Sequence, residues 1–305
     1  MLAVCSPPAS AAVFRTGQLV MGTVLQVTII AADDARARAL AEAAIAEARR
    51  WDSILTTWRP DGELARLNAS AGMGPAIVSA DLAAALRAMQ WYSGTTSGAF
   101  DPAVGALVDL WRGPALPSEA ELTKAAPARI ATALTLDGSR ASLSAGAKLD
   151  AGGIGKGMAL DAIGALLRAQ GVRAAYLDFG GSSQLAIGAP PGSPEGWQVA
   201  VSSLAPHQVH GMLVLRDAAL STSRALGAPS PAGAIIDPRT RRPVAAPQLA
   251  TVRAADATTA EAWSKAVVIL GADGVARAAA QGMDVLHEDP AGSKRTDGFV
   301  LEPLP

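Results

Sequence analysis

The chain has 305 residues, of which 50% are hydrophobic and 17% charged, with a formal net charge of −1. That much apolar material builds a sizeable core and excludes a disordered chain. Without a Lys/Arg stripe nucleic acid is not expected as a partner, and no apolar run approaches the roughly 18–20 residues that span a bilayer, so a soluble protein is expected.

Residues 1–17 read as a tail or as the end of an export signal. Leu2-Ala3-Val4-Cys5 is close to a lipoprotein processing box, which would put a lipid anchor on Cys5, and Ala9-Ser10-Ala11 resembles a signal-peptidase site. The charged start and long apolar region of a signal peptide do not precede them. Cys5 is the only cysteine, which excludes a disulfide framework.

A domain is expected over 18–305. Gln18 to Ile30 alternates polar and branched residues as one half-buried strand would. Asp33 caps an Ala-rich helix from Ala35 to about Leu55, and Asp81 and Ser118 open two more. A β-rich stretch covers 132–149, and a helix from Ile154 to Gln170 stops at Gly171. Strands are expected at 174–179, 197–201, 211–215 and 248–253, then a helix over 258–270, a short helix, and closing strands near Met283 and Phe299. Helices interleaved with hairpin-like strands predict an α+β fold: a single compact domain with mixed or antiparallel sheets and packed helices.

The segment Leu149-Asp-Ala-Gly-Gly-Ile-Gly-Lys-Gly-Met-Ala-Leu-Asp161 sets four glycines and a lysine between a strand end and a helix start. Glycines admit a phosphate close to the backbone, and a helix N-terminus offers it free N–H groups. Lys156 is placed to neutralise phosphate charge and Asp150 to accept from a ribose or a flavin ring. The spacing matches neither the Rossmann fingerprint nor a P-loop.

Further motifs occur in a set order. They are Met21-Gly22-Thr23; Thr57-Trp58-Arg59-Pro60-Asp61-Gly62-Glu63-Leu64-Ala65-Arg66-Leu67-Asn68; Ser97-Gly98-Ala99-Phe100-Asp101-Pro102; Asp178-Phe-Gly-Gly181; Leu220-Ser-Thr-Ser223; and Ile235-Ile-Asp-Pro-Arg-Thr240. With the glycine-rich loop they resemble the landmarks of the ApbE-type FAD:protein FMN transferases, from about Met21 to the C-terminus. The resemblance implies a single α+β domain, related in architecture to the T-fold, with a cleft for FAD. It implies cleavage of the FAD pyrophosphate, transfer of FMN to a Thr or Ser hydroxyl of an acceptor flavoprotein, release of AMP and use of Mg²⁺. Carried across, Met21, Trp58, Ala99, Phe100, Asp101, Asp150, Gly153, Lys156 and Ile235 would line the FAD site. The family's usual export implies a periplasmic or cell-envelope location.

Two positions depart from the family pattern. Its metal lies between a loop carbonyl, here that of Gly153, and the Asp and Thr of a helix, which fall here on Glu261 and Lys265. Glutamate remains a competent oxygen ligand, whereas a protonated lysine is not a ligand and repels Mg²⁺. Lys265 would either replace the cation against the pyrophosphate or pair with Glu261 one turn away. The family's His before Ile-Ile-Asp-Pro is Ala234 here; Asp237 remains, as the candidate base or as the cap of a turn ahead of Pro238. Three readings stay open: FMN transfer, an impaired paralogue that binds or carries FAD, and FAD hydrolysis.

Overall fold

The computed structural model describes residues 12–125, 129–227 and 235–304. Cys5, the Ala9-Ser10-Ala11 tripeptide and Ala234 lie outside them. Strands β1 (Ala12–Val20) and β2 (Thr23–Ala31) pair antiparallel, with Val20 opposite Thr23. The single strand expected over 18–30 is therefore half of a hairpin. Met21 and Gly22 turn it with φ of +52° and +77°; two left-handed residues in succession match the twist of a tight two-residue hairpin. Residues 12–17, expected as part of the tail, thus belong to the sheet.

Helix α1 (Asp34–Leu55) starts where the Asp33 side chain accepts the Arg36 N–H, and it buries Ala37, Ala41, Ala44 and Ala48 along one stripe. Small side chains there let it lie close to β1, β2 and the later helix α7 (Gly155–Ala169). Between α1 and α7 the chain leaves the main sheet. It forms α2 (Glu63–Ala69), β3 (Ala76–Ile77), α3 (Ala80–Thr95), α4 (Gly105–Arg112), α5 (Glu119–Lys124), α6 (Ile130–Ala133), β4 (Leu134–Asp137) and β5 (Arg140–Leu143). The three strands make a small separate sheet.

After α7 come β6 (Ala174–Phe179), β7 (Ser183–Ile187), β8 (Trp197–Ser202), β9 (Val209–Leu215) and β10 (Ala218–Leu226). Then follow β11 (Ile236–Asp237), β12 (Arg242–Pro243), β13 (Pro247–Ala254), α8 (Ala257–Leu270), α9 (Ala272–Ala280), β14 (Asp284–Asp289) and β15 (Gly292–Arg295). The last strand sits ahead of the position expected near Phe299, which is instead a buried core residue in non-strand backbone.

Among the described residues, eight strands form the main sheet in the order β1-β2-β6-β7-β10-β13-β14-β15. Every neighbouring pair is antiparallel, so of the mixed or antiparallel arrangements expected the chain adopts the second. Helices α1, α7 and α8 pack against this sheet, and α7 packs against both α1 and α8, with Leu25, Val27, Ile163, Val252 and Trp263 in a continuous core. The β8–β9 hairpin contributes to a second apolar cluster with Leu220, Leu249, Leu286 and Phe299. Together they make a single compact α+β domain.

Candidate active site

The glycine-rich turn is fixed from both sides. The Asn68 side chain holds Leu149 by two hydrogen bonds of 2.8 Å, and the Asp150 N–H donates to the Pro102 carbonyl at 2.7 Å. The Asp150 carboxylate accepts the Gly152 N–H at 2.8 Å, closing the turn before α7 begins. None of Gly152, Gly153, Gly155 or Gly157 has the positive φ that only glycine adopts easily. Their role is space. A Cβ on Gly157 would stand 2.4 Å from the Ala257 carbonyl oxygen, one on Gly153 3.1 Å from the Phe100 ring, and one on Gly155 3.2 Å from Leu55. These glycines bring α7 against the start of α8 and the loop against Phe100.

Where α7 meets α8 lies a cluster of opposite charges. Glu261 is fully buried, and its Oε1 accepts from Lys156 Nζ at 2.7 Å and from Ser183 Oγ at 2.8 Å, while Oε2 accepts the Gly157 N–H at 2.7 Å. Lys265, one helical turn on, places its Nζ 3.5 Å from the same Oε1. Of the two arrangements open for Lys265, the ion pair with Glu261 is present. Burial by itself would raise the Glu261 carboxyl, but the two ammoniums and the Gly157 N–H bring it down to about 2. Burial lowers the Lys265 ammonium to about 8; Glu261 acts against that shift and Lys156 adds to it.

This cluster does not fit a divalent cation. Both Glu261 oxygens are engaged by donors, and two ammoniums stand where a metal would meet repulsion. Among the described residues no three His, Cys, Asp or Glu side chains are grouped to hold a metal ion. The expectation that Gly153 and Glu261 share Mg²⁺ is therefore not met, because the lysines have taken up the carboxylate.

Two adjoining hollows flank the turn. One, of about 250 Å³, is lined by residues that include Ala99, Phe100, Asp150, Gly153, Ile235 and Lys265. The other, of about 180 Å³, includes Met21, Asp52, Trp58, Gly155 and Lys156. Arg112, Asp150 and Gly152 border both. Joined, they reach the low end of the roughly 300–1,000 Å³ usual for small-molecule sites. The Arg112 guanidinium lies 4.4 Å from the centre of the Trp58 ring, which is 73% exposed. Each hollow thus receives one ammonium, Lys265 in the first and Lys156 in the second, with Glu261 behind both.

Every residue expected at the FAD site lines one of these hollows. Asp101, however, has a structural carboxylate: it accepts from Ser93 Oγ at 2.8 Å, the Ala103 N–H at 2.9 Å and the Ile130 N–H at 3.2 Å. Asp237, expected as the base or as the cap of a turn ahead of Pro238, accepts the Arg239 N–H at 2.9 Å, as a turn cap does. Its carboxylate is paired with the Arg239 guanidinium, at 2.9 Å from Nε and 2.8 Å from Nη2, and it borders neither hollow. Arg112 was missed, since nothing in the sequence sets it apart from other surface arginines. Ser183 was missed because its partner lies 78 positions away. His210 pairs with Glu288 and His287 with Gln248, outside the cleft lining.

The glycine-rich turn and the lysine pair thus stand between the two hollows of an α+β domain. The ApbE family model matches residues 21–287, and the chain belongs to the ApbE family. It is 33% identical over 277 residues to the FAD:protein FMN transferase of Rhodobacter capsulatus, a match covering 86% of this chain and 52% of that one. The transferase of Treponema pallidum is 30% identical over 191 residues, covering 58% and 53%. The chain thus spans about half the length of these two relatives, and 80% of a Klebsiella pneumoniae one at 27% identity. Among solved structures, the flavin transferase ApbE from Vibrio cholerae superposes with a TM-score of 0.84 at 24% identity, covering 95% of this chain and 99% of that one. The ApbE protein of Thermotoga maritima gives 0.86 at 24% identity, covering 94% and 98%. These two likenesses bear on the fold.

Proposed function

We propose that this chain binds FAD across the two-part cleft and transfers its FMN half to a Thr or Ser hydroxyl of an acceptor flavoprotein. The observation that carries this reading is the pairing of two adjoining hollows with two ammoniums, Lys265 lining one and Lys156 the other, on either side of the glycine-rich turn. Family membership supplies the chemistry, because the named relatives are FAD:protein FMN transferases.

In the reaction the acceptor oxygen attacks the phosphorus of the FMN half. A new P–O ester bond forms, the P–O bond to the bridging oxygen breaks, and AMP leaves with that oxygen. The hydroxyl proton ends on the AMP phosphate or in water. The chain's residues orient and neutralise. Lys156 and Lys265 oppose the charge of the phosphates, Asp150 accepts from a ribose or ring group, and Trp58 and Phe100 present aromatic surface to the two ring systems.

A second reading, FAD binding without transfer, draws on Asp237, whose carboxylate is paired with Arg239 and borders neither hollow. Incubating the protein with FAD and a threonine-bearing acceptor peptide separates the two. FMN attached to the peptide, with matching AMP, supports transfer; bound FAD with no AMP supports the carrier; AMP and free FMN without attachment would show hydrolysis. Export to the periplasm or cell envelope is proposed on family habit alone.

A further inference from the structure

Lys265 does more than cancel a neighbour. Its side chain runs beside the glycine-rich turn, so that a Cβ built on Gly153 would come 3.9 Å from Lys265 Cε, and it lines the larger hollow. Its Nζ stands 3.5 Å from Glu261 Oε1, while the shorter contact of that oxygen, 2.7 Å, goes to Lys156. Glu261 already has Lys156, Ser183 and the Gly157 N–H within 2.8 Å, so its charge is compensated without Lys265. Two ammoniums against one carboxylate leave an uncompensated positive charge, and the longer, looser contact places it on Lys265, on the side open to the cleft. The Lys265 side chain retains 18% exposure, whereas Glu261 has none.

We propose that Lys265 is a built-in cation: its ammonium, backed by the Glu261–Lys156 pair, neutralises the linked phosphates of a dinucleotide, so that binding needs no divalent metal. The inference rests on the dinucleotide reading of the cleft and adds what neutralises the phosphates. It makes Lys265 a ligand-binding residue and Glu261 a positioning residue, which holds the ammonium without touching the ligand.

The experiment is FAD titration of the whole chain, followed by flavin fluorescence, in EDTA and separately in millimolar Mg²⁺. The dissociation constant should agree within about twofold between the two conditions. Lys265→Met, which keeps the stem and removes the charge, should weaken binding in EDTA by about 10- to 100-fold, the size of a lost charge-assisted contact. Lys265→Arg should recover most of that loss. Circular dichroism melts of both variants establish that they fold, which is expected because Glu261 keeps its other partners. Binding by the wild type only when Mg²⁺ is present would overturn the proposal, as would a folded Lys265→Met that binds like the wild type in EDTA. Absence of binding in both conditions would instead overturn the dinucleotide reading of the cleft, and this inference with it.

Discussion

Glu261 has no solvent contact and is nonetheless ionised, because three donors and a second ammonium surround its two oxygens. Its folded carboxyl takes up a proton near pH 2, the unfolded one near 4.5. Between those values the unfolded chain holds more protons, so stability rises with pH and is lost as pH falls from about 4.5 toward 2. Urea unfolding across that window should show a steep acid loss in the wild type and a shallower one in Glu261→Gln. Glu261→Ala strands two lysines in a largely buried site and should lower stability by about 3–5 kcal/mol, read from the same titration. Trp58 is the opposite case. It is mostly exposed, with Arg112 over its ring, so Trp58→Ala should leave the melting temperature unchanged and weaken FAD binding by about 2- to 10-fold, the loss of one aromatic stack. Calorimetric titration beside a thermal melt checks both halves. The Glu261–Lys265 pair was legible in the sequence because residues four apart share a helix face. Lys156 as the third member was not, since 105 positions separate it from Glu261 and only the packing of α7 on α8 unites them.

At the scale of elements, the crossing of α7 and α8 holds the site together. Gly157 sits where the α7 backbone meets the first residues of α8, and a methyl there would meet the Ala257 carbonyl oxygen at 2.4 Å. Gly157→Ala should cost about 1–3 kcal/mol as overpacking, lower the melting midpoint by several degrees, and weaken FAD binding by shifting the N–H that Glu261 accepts. Scanning calorimetry and FAD titration of that variant test the coupling; a variant that melts and binds like the wild type refutes it. The long helices α1, α7 and α8 were readable because their caps and apolar stripes are local signals. Strand β10 was not recognised. Its Leu220-Ser-Thr-Ser223 run lacks the apolar alternation of a core strand, and the hydroxyls of Ser221 and Ser223 are satisfied by Ser264 of α8, at 3.1 and 2.7 Å. A local reading has no access to that partner. The β1–β2 turn escaped for another reason: Met21-Gly22 lacks the Asn or Asp that commonly announces such a turn.

For the whole molecule, the α+β class followed from how the elements alternate, while the strand order did not, because it depends on pairings across long stretches of chain. The principal core joins the main sheet to α1, α7 and α8, which predicts one cooperative unfolding transition. FAD at 100 times its dissociation constant should add about 2.7 kcal/mol to stability, seen as a higher midpoint in differential scanning calorimetry. Strands β2 and β6 are neighbours, with Leu25 opposite Phe179, yet about half the chain runs between them. During synthesis the nascent N-terminal hairpin must therefore wait for the ribosome to deliver its next neighbour, with one flank of unpaired backbone groups showing. High contact order of this kind slows folding, and in this chain the waiting edge belongs to the hairpin whose tip borders the cleft.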